Sequence, residues 1–549
     1  MTTHALDMTR SSTNSAGWWR DAVIYQVYLR SFADGDGDGV GDIAGLRSRL
    51  LYLSGLGVDA LWINPWYPSP MADGGYDIAD YRDIDPVFGT LDDAVALIEQ
   101  AHRLGLRIIV DLVPNHCSSA HSWFIQALAA QPGSPERARF WFRRGTGPDG
   151  SQPPNDWQSY FGGSAWTRLA DGDWYLHLFA PEQPDFNWSH PEVAEEFAEI
   201  LRFWFARGVD GFRIDVAHAL VKDPELPDVG ADPDPRALPY QNQQGVHEIY
   251  RGWRRLVDAQ PGARVLVGEI WLPSPQQPVD YLRPDELHSA FNFDYLSCAW
   301  DARQLRTVID DTIAAHATVG APPTWVLSNH DVTRHVTRYG RSETSHDPGD
   351  RRHGWPSDTE LGLRRARAAA LLTFALPGAV YVYQGEELGL AEHEAIPLAD
   401  RQDPVVRRSG GTDLGRDGCR VPLPWSGDEA PFGFSPPEAT GTPWLPQPAQ
   451  WRDRTVAVQH GDPRSMLALY RAALSLRRVL PPATALHWLD LGPGVLAFRR
   501  GSVLVVVNTS DGPVAVPAHY GVLIASGPIL PRGFLPADTA VWLRATPTS

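Results

Sequence analysis

Gly211-Phe212-Arg213-Ile214-Asp215 reads as a short strand that ends in charge, with an arginine between apolar neighbours and a carboxylate where the run stops. Side chains alternate along a strand, so Arg213 and Asp215 share one face. Runs of this kind recur at 22–29, 60–63, 107–112 and 264–267, and again at 289–291, 324–327 and 379–383. Between them, apolar residues take helical spacing at 91–104, 191–207, 244–259, 299–315 and 361–375. Strands alternating with helices build a parallel sheet, and this is a barrel's complement of strands. The expected fold class is α/β, a (β/α)8 TIM barrel.

Two insertions interrupt the alternation. Residues 117–188, after the third strand, are rich in Trp, Phe, Gly and Pro, and residues 386–451, after the last, in Pro, Gly and charge. Loops of this length are usually functional. Beyond a helical stretch at 464–480, short strand patterns at 495–498, 503–507 and 514–516 are joined by turns such as Ser510-Asp511-Gly512-Pro513. The expected division is a barrel at 1–116 and 189–480 with a subdomain inserted at about 386–451, an inserted domain at 117–188, and a C-terminal antiparallel β domain at 481–549.

In such a barrel the working residues sit on the C-terminal face, where strands end. The third strand ends Asp111-Leu112-Val113-Pro114-Asn115-His116, the fifth runs into Gly268-Glu269-Ile270-Trp271, and the seventh into Ser328-Asn329-His330-Asp331. At one end alone, a helix cap or a solvated loop charge is the ordinary explanation. Polar clusters at four ends, that of Asp215 included, point to a site. An arginine beside Asp215 would hold its carboxylate ionised and oriented, as a nucleophile requires.

Another constellation follows the first strand: Asp34-Gly35-Asp36-Gly37-Asp38-Gly39-Val40-Gly41-Asp42. Oxygen donors alternating with glycine suit a hard cation such as calcium, although a solvated turn is the ordinary reading of such composition. The loop is not an EF-hand, because Gly45 stands where the bidentate acid belongs.

The ordered strand-end motifs resemble those of the α-amylase superfamily, glycoside hydrolase family 13, over nearly the whole chain. Gln183-Pro184-Asp185-Phe186-Asn187 and Gln384-Gly385-Glu386-Glu387 resemble further motifs of its α-glucosidase and oligo-1,6-glucosidase branch. The resemblance implies a glycosidase working through two carboxyl groups, one protonated and one ionised. A separation of about 5–5.5 Å between them gives retention, and a wider gap gives inversion. It assigns Asp215 as nucleophile, Glu269 as general acid/base and Asp331 as the grip on the hydroxyls of the reacting glucose. His116 and His330 would hydrogen-bond that sugar, and Arg213 would orient Asp215. Tyr76, in Asp73-Gly74-Gly75-Tyr76, would stack under the glucose, with Asp73 on its far edge. Arg420, in Arg416-Asp417-Gly418-Cys419-Arg420, would pair with Asp73 and close the pocket, making the enzyme act on terminal units.

The Asp/Gly loop likewise resembles a calcium loop of this branch. The resemblance implies a structural Ca2+, or Mg2+, at Asp34, Asp36, Asp38, Asp42 and the Val40 carbonyl, with no organic cofactor. The substrates implied are small neutral α-glucosides. Val216, after the nucleophile, favours α-1,6 bonds when read alone. The wider context, Gly211 to His218 with Arg416 to Pro422, looks like a maltose-acting branch. Maltose and short α-1,4-glucosides are therefore the expected substrates, with α-1,6 hydrolysis or glucosyl transfer as alternatives.

Composition agrees. The chain has 549 residues and a formal charge of −18, which argues against nucleic acid or an anionic membrane as partner. Lys222 is the only lysine among 48 basic residues, a bias that fits a GC-rich genome. Cys117, Cys298 and Cys419 have no paired spacing, so no disulfide framework is expected and a reducing compartment, the cytoplasm, is the reading. Residues 1–17 lack the apolar core of a secretory signal, and the first dozen or so are expected to be disordered. Oligomeric state, monomer or homodimer, is left open.

Overall fold

The computed structural model describes residues 15–274, 276–517 and 520–545. The expectation for the first dozen residues falls outside them. Eight parallel strands form the central sheet: β1 (Val23–Val27), β2 (Ala60–Ile63), β3 (Arg107–Leu112), β4 (Gly211–Ile214), β5 (Val265–Gly268), β6 (Ser289–Ala290), β7 (Thr324–Val326) and β8 (Ala379–Tyr383). Their order is β7-β8-β1-β2-β3-β4-β5-β6, each strand beside its neighbour in sequence, with β8 returning to β1. β6 and β7 share no ladder, and the Thr324 hydroxyl closes the seam by donating to the Ala290 carbonyl. The fold is the TIM barrel that the strand pattern predicts.

Local chemistry explains the elements. The helix Leu91–Arg103 starts at a capping box, in which Thr90 accepts from the Asp93 N–H and Asp93 from the Thr90 N–H. The helix Pro191–Ala206 begins on proline and buries Val193, Phe197, Ile200, Leu201 and Trp204 against the barrel. Ile24, Trp62, Ile109, Val267, Val326 and Tyr381 fill the barrel interior. Gly211 opens β4 because a Cβ there would strike the Val265 side chain and carbonyl on β5.

Residues 117–188 contain the helices Ser122–Ala129 and Pro135–Ala138 and a three-stranded sheet, with Asp173–Leu176 between Phe142–Arg144 and Trp166–Arg168. Residues 386–451 hold short 3-10 turns and the helix Pro404–Arg408, with no strand among the described residues. The C-terminal sheet runs His487–Trp488, Val495–Arg500, Val503–Asn508, Thr539–Ala545, Tyr520–Ala525. The predicted strand at 514–516 is not part of it, because Val514–Ala515 pairs with Phe534–Leu535 alone. Trp542 ties this sheet to the barrel, donating to the Leu371 carbonyl of the helix Thr359–Ala375 at 3.0 Å. All three cysteines are free and buried. Among the described residues, no helix is long and apolar enough to cross a membrane.

Candidate active site

Strand register brings the charges together before any loop contributes. β3 meets β4 with Asp111 opposite Arg213, and β4 meets β5 with Ile214 opposite Gly268, so that Asp215 and Glu269 leave neighbouring strands at one level. Arg213 Nη1 donates to Asp111 Oδ1 at 2.7 Å and to Asp215 Oδ1 at 2.6 Å. Its Nη2 lies 2.7 Å from Glu269 Oε2. One buried guanidinium therefore holds three buried carboxyl groups. Burial raises the proton affinity of Asp215 well above that of an ordinary carboxylate; Arg213 opposes the rise, and Glu269 and Asp111 add to it. Burial pushes Asp111 up to about 6 against the pull of Arg213.

Val216 adds strain at the same point. Its φ of 43° is left-handed, a conformation a β-branched residue rarely adopts, and it aims the Val216 N–H at Glu269 Oε2, 3.1 Å away.

Asp331 stands opposite. Burial works against its carboxylate, but His330, Arg416, Arg420 and Arg213 overcome it and hold the group far below the usual range. Gln26 Nε2 lies 2.7 Å from His330 Nδ1 and also donates to Asn64 Oδ1. Nδ1 is thus the acceptor, and the proton sits on His330 Nε2, 3.2 Å from Asp331 Oδ2. Burial keeps both site histidines neutral, lowering His330 well below its ordinary value and His116 to about 4. The Tyr76 ring stacks on His330 at 5.3 Å, while its hydroxyl donates to Asp111 and accepts from Asn64.

One assignment is corrected. Arg416, not Arg420, pairs with Asp73, its Nη2 lying 2.6 Å from Asp73 Oδ1. The 3-10 turn Asp417–Cys419 separates the two arginines, which converge on Asp331 Oδ1 from different sides while only Arg416 reaches Asp73. Arg420 donates from Nε to the His330 carbonyl at 2.8 Å and from Nη2 to Asp331 at 2.9 Å. Arg416 also reaches Asp331 at 3.1 Å and is anchored by Asp403 at 2.6 Å. The ion pair expected at Asp73 therefore forms, with a different arginine.

The inserted residues 117–188 complete the site. Gln183 Nε2 donates to Asp73 Oδ2 at 3.1 Å and lies 3.1 Å from His116 Nε2. Behind it Lys222, fully buried, pairs with Asp185 at 2.8 Å and donates to Asn115 Oδ1 at 2.6 Å and the Ala219 carbonyl at 2.8 Å. The resulting cavity, about 530 Å³, is lined by Asp215, Glu269, Asp331, His116, Asp73 and Tyr76, with Phe161, Phe179, Trp271 and Leu272 as apolar walls. Pro235 and Gln241 of the loop 221–243 also line it. The roles of Arg416, Lys222 and Trp271 escape sequence reading. Only the singularity of Lys222 was a signal.

The Asp/Gly loop is only partly assembled as expected. Asp34, Asp36 and Asp42 bring ligand oxygens within 4.8 Å of one another, and Asp38 stands outside that group. Asp38 instead accepts from the Val40 N–H at 2.7 Å. Asp34 accepts from Gly37 and Gly39, and Asp42 from Gly35, Asp36 and Gly45. Among the described residues no basic side chain forms an ion pair with the three. Three clustered acids without a counter-charge are a donor set that fits a hard cation.

Comparison with known proteins agrees with this geometry. The Alpha-amylase family, through its catalytic domain, matches residues 26–483. The chain belongs to that family, glycoside hydrolase family 13, and is a glycoside hydrolase. Within the family it falls in the α-glucosidase branch. It is 38% identical over 92% of both chains to a probable alpha-glucosidase of Rhizobium meliloti, and 34% identical over 84% of both to an oligo-1,6-glucosidase of Parageobacillus thermoglucosidasius. Among solved structures, an alpha-glucosyl transfer enzyme superposes with a TM-score of 0.84 at 36% identity, covering 97% of this chain and 100% of that one. The trehalulose synthase of Pseudomonas mesoacidophila MX-45 gives 0.83 at 32%, with 97% and 100% covered.

Proposed function

We propose that the protein is a retaining, exo-acting α-glucosidase that releases α-glucose from the non-reducing end of maltose and short α-1,4-glucosides. Asp215 attacks the anomeric carbon, Glu269 protonates the departing oxygen and later deprotonates water, and Asp331 holds hydroxyls of the glucose. The observation that carries the reading is the bridge in the cavity wall by which Arg416 ties Asp73 to Asp331, which we read as a closed end. Such an end admits one terminal sugar and stops a longer chain from passing through, so starch should be a poor substrate.

Linkage depends on the leaving-sugar side. Val216 lines the cavity, but one methyl against one hydroxyl supplies only about 1–3 kcal/mol of discrimination. Pro235 and Gln241, from the loop 221–243, line the same cavity and can outweigh it. Comparing kcat/KM for maltose and isomaltose, with sucrose, trehalose and starch alongside, tests this. Maltose should lead, and a clear preference for isomaltose would overturn the linkage.

Glucosyl transfer is a second reading, favoured by the apolar walls Phe161, Phe179, Trp271 and Leu272, which can hold an incoming acceptor as well as a departing one. Its test is product analysis with added alcohols or sugars.

The proposal extends to a structural Ca2+ or Mg2+ on Asp34, Asp36 and Asp42, remote from the chemistry. A cation that binds only the folded state stabilises it by mass action. Chelation should lower Tm while activity at low temperature persists. A metal-free protein by elemental analysis, with Tm unmoved in an Asp36→Ala/Asp42→Ala variant, would rule the site out.

A further inference from the structure

We propose that Trp271 is a positioning residue for Glu269, and that Oε1 is the oxygen through which Glu269 gives up its proton. This deepens the reading of Glu269 as the acid and rests on it. The two carboxyl oxygens have unequal surroundings. Oε2 faces Arg213 Nη2 at 2.7 Å and the Val216 N–H at 3.1 Å. An oxygen that accepts from both a guanidinium and an amide is poorly placed to carry a proton of its own. Oε1 receives one donor among the described residues, the Trp271 indole N–H, at 3.2 Å. Indole is a neutral donor with no acceptor, so it aligns Oε1 without forming an ion pair and leaves a lone pair for the acid proton.

The indole is itself held in place. Its ring stacks on that of Phe293, with centroids 3.5 Å apart and planes 19° from parallel, and Phe293 is buried. His346 packs against it at 6.4 Å. Glu269, Trp271 and His346 all line the cavity. The carboxyl plane is thus gripped on both oxygens: by charge and a strained backbone on one, by a stacked ring on the other.

The step balances as follows. The proton on Oε1 passes to the glycosidic oxygen while the bond from that oxygen to the anomeric carbon breaks. The bond's electron pair goes to the departing oxygen, and an Asp215 oxygen forms the new bond to carbon. In the second half, Oε1 takes a proton from the water that displaces Asp215.

Trp271→Phe keeps a ring on Phe293 and an apolar wall but removes the N–H. A misaimed acid costs most where the leaving group needs its proton. On maltose, kcat/KM should fall about 10–100-fold, within what misplacement of a catalytic group costs. On 4-nitrophenyl α-glucoside, whose leaving group departs without a proton, the fall should be under about 3-fold. Phe293→Leu, which loosens the indole but keeps its N–H, should show the same discrimination at smaller size. Equal losses on both substrates, or a change confined to KM, would reduce Trp271 to a wall and overturn the proposal. Glu269→Gln, measured beside them, separates the two readings. If it discriminates between the substrates and Trp271→Phe does not, only the positioning role fails. If Glu269→Gln does not discriminate, the assignment of the acid fails.

Discussion

Asp215→Asn should bind substrate nearly as well as the natural enzyme and turn it over at least about 10⁴-fold more slowly, the scale on which loss of a nucleophile is felt. The replacement is close to isosteric, and the amide oxygen can still accept from Arg213, so the pocket keeps its shape. What goes is the electron pair that attacks the anomeric carbon. Its stability should move the other way. The folded Asp215 has a raised proton affinity, from burial first and then from Glu269 and Asp111, with Arg213 opposing. A carboxyl raised in this way favours the folded state at low pH and costs stability as pH rises above its unfolded value. A neutral amide escapes that cost, so Tm at neutral pH should be no lower than in the natural protein. Two inversions restore configuration, and the natural enzyme should release the α-anomer first. Early β-glucose by NMR would exclude the covalent route through Asp215.

How far this site could be read without coordinates depended on what kind of signal each residue left. Asp215, Glu269 and Asp331 stand where apolar runs stop, and strand register alone then sets the first two side by side. β6 is only Ser289–Ala290, yet the alternation around it was enough to count it. The arginine pairing was a different matter. Arg416 and Arg420 lie in one irregular loop, where spacing carries no direction, and a single 3-10 turn decides which of them meets Asp73. The left-handed Val216 was invisible for a similar reason, because its strain comes from tertiary packing and not from its own preference. At the C-terminus, the strand pattern read from sequence stops at 514–516 and does not include Thr539–Ala545, which lies between two strands of the sheet. Its partner Tyr520–Ala525 is interrupted by Gly521 and a register shift, which blurs the alternation that marks a strand.

Lys222→Met should be among the most destabilising single substitutions in the chain. The scarcity of lysine suggests a genome-wide bias, yet the one lysine present is fully buried on three oxygens: Asp185, Asn115 and the Ala219 carbonyl. Methionine fills similar space and presents nothing to them. A buried pair broken on one side leaves the other charge unpaired, at a cost of about 3–5 kcal/mol. Asp185 is the buried charge left unpaired. It also accepts from Asn115 Nδ2 at 3.1 Å and from the Leu178 N–H at 2.9 Å, contacts that a repelled or protonated carboxyl would disturb. These link residues 117–188 to the end of β3, where Asn115 adjoins His116. The loss should therefore register twice, as a fall in Tm and as a weakened hold on the glucose through His116 and Gln183. Lys222→Arg should not rescue it, since a planar fork cannot take three convergent oxygens in a space shaped for one ammonium. Thermal unfolding together with KM for maltose checks both effects. A Lys222→Met protein with unchanged Tm would show that the pair contributes no net stability and that Asp185 is satisfied without it.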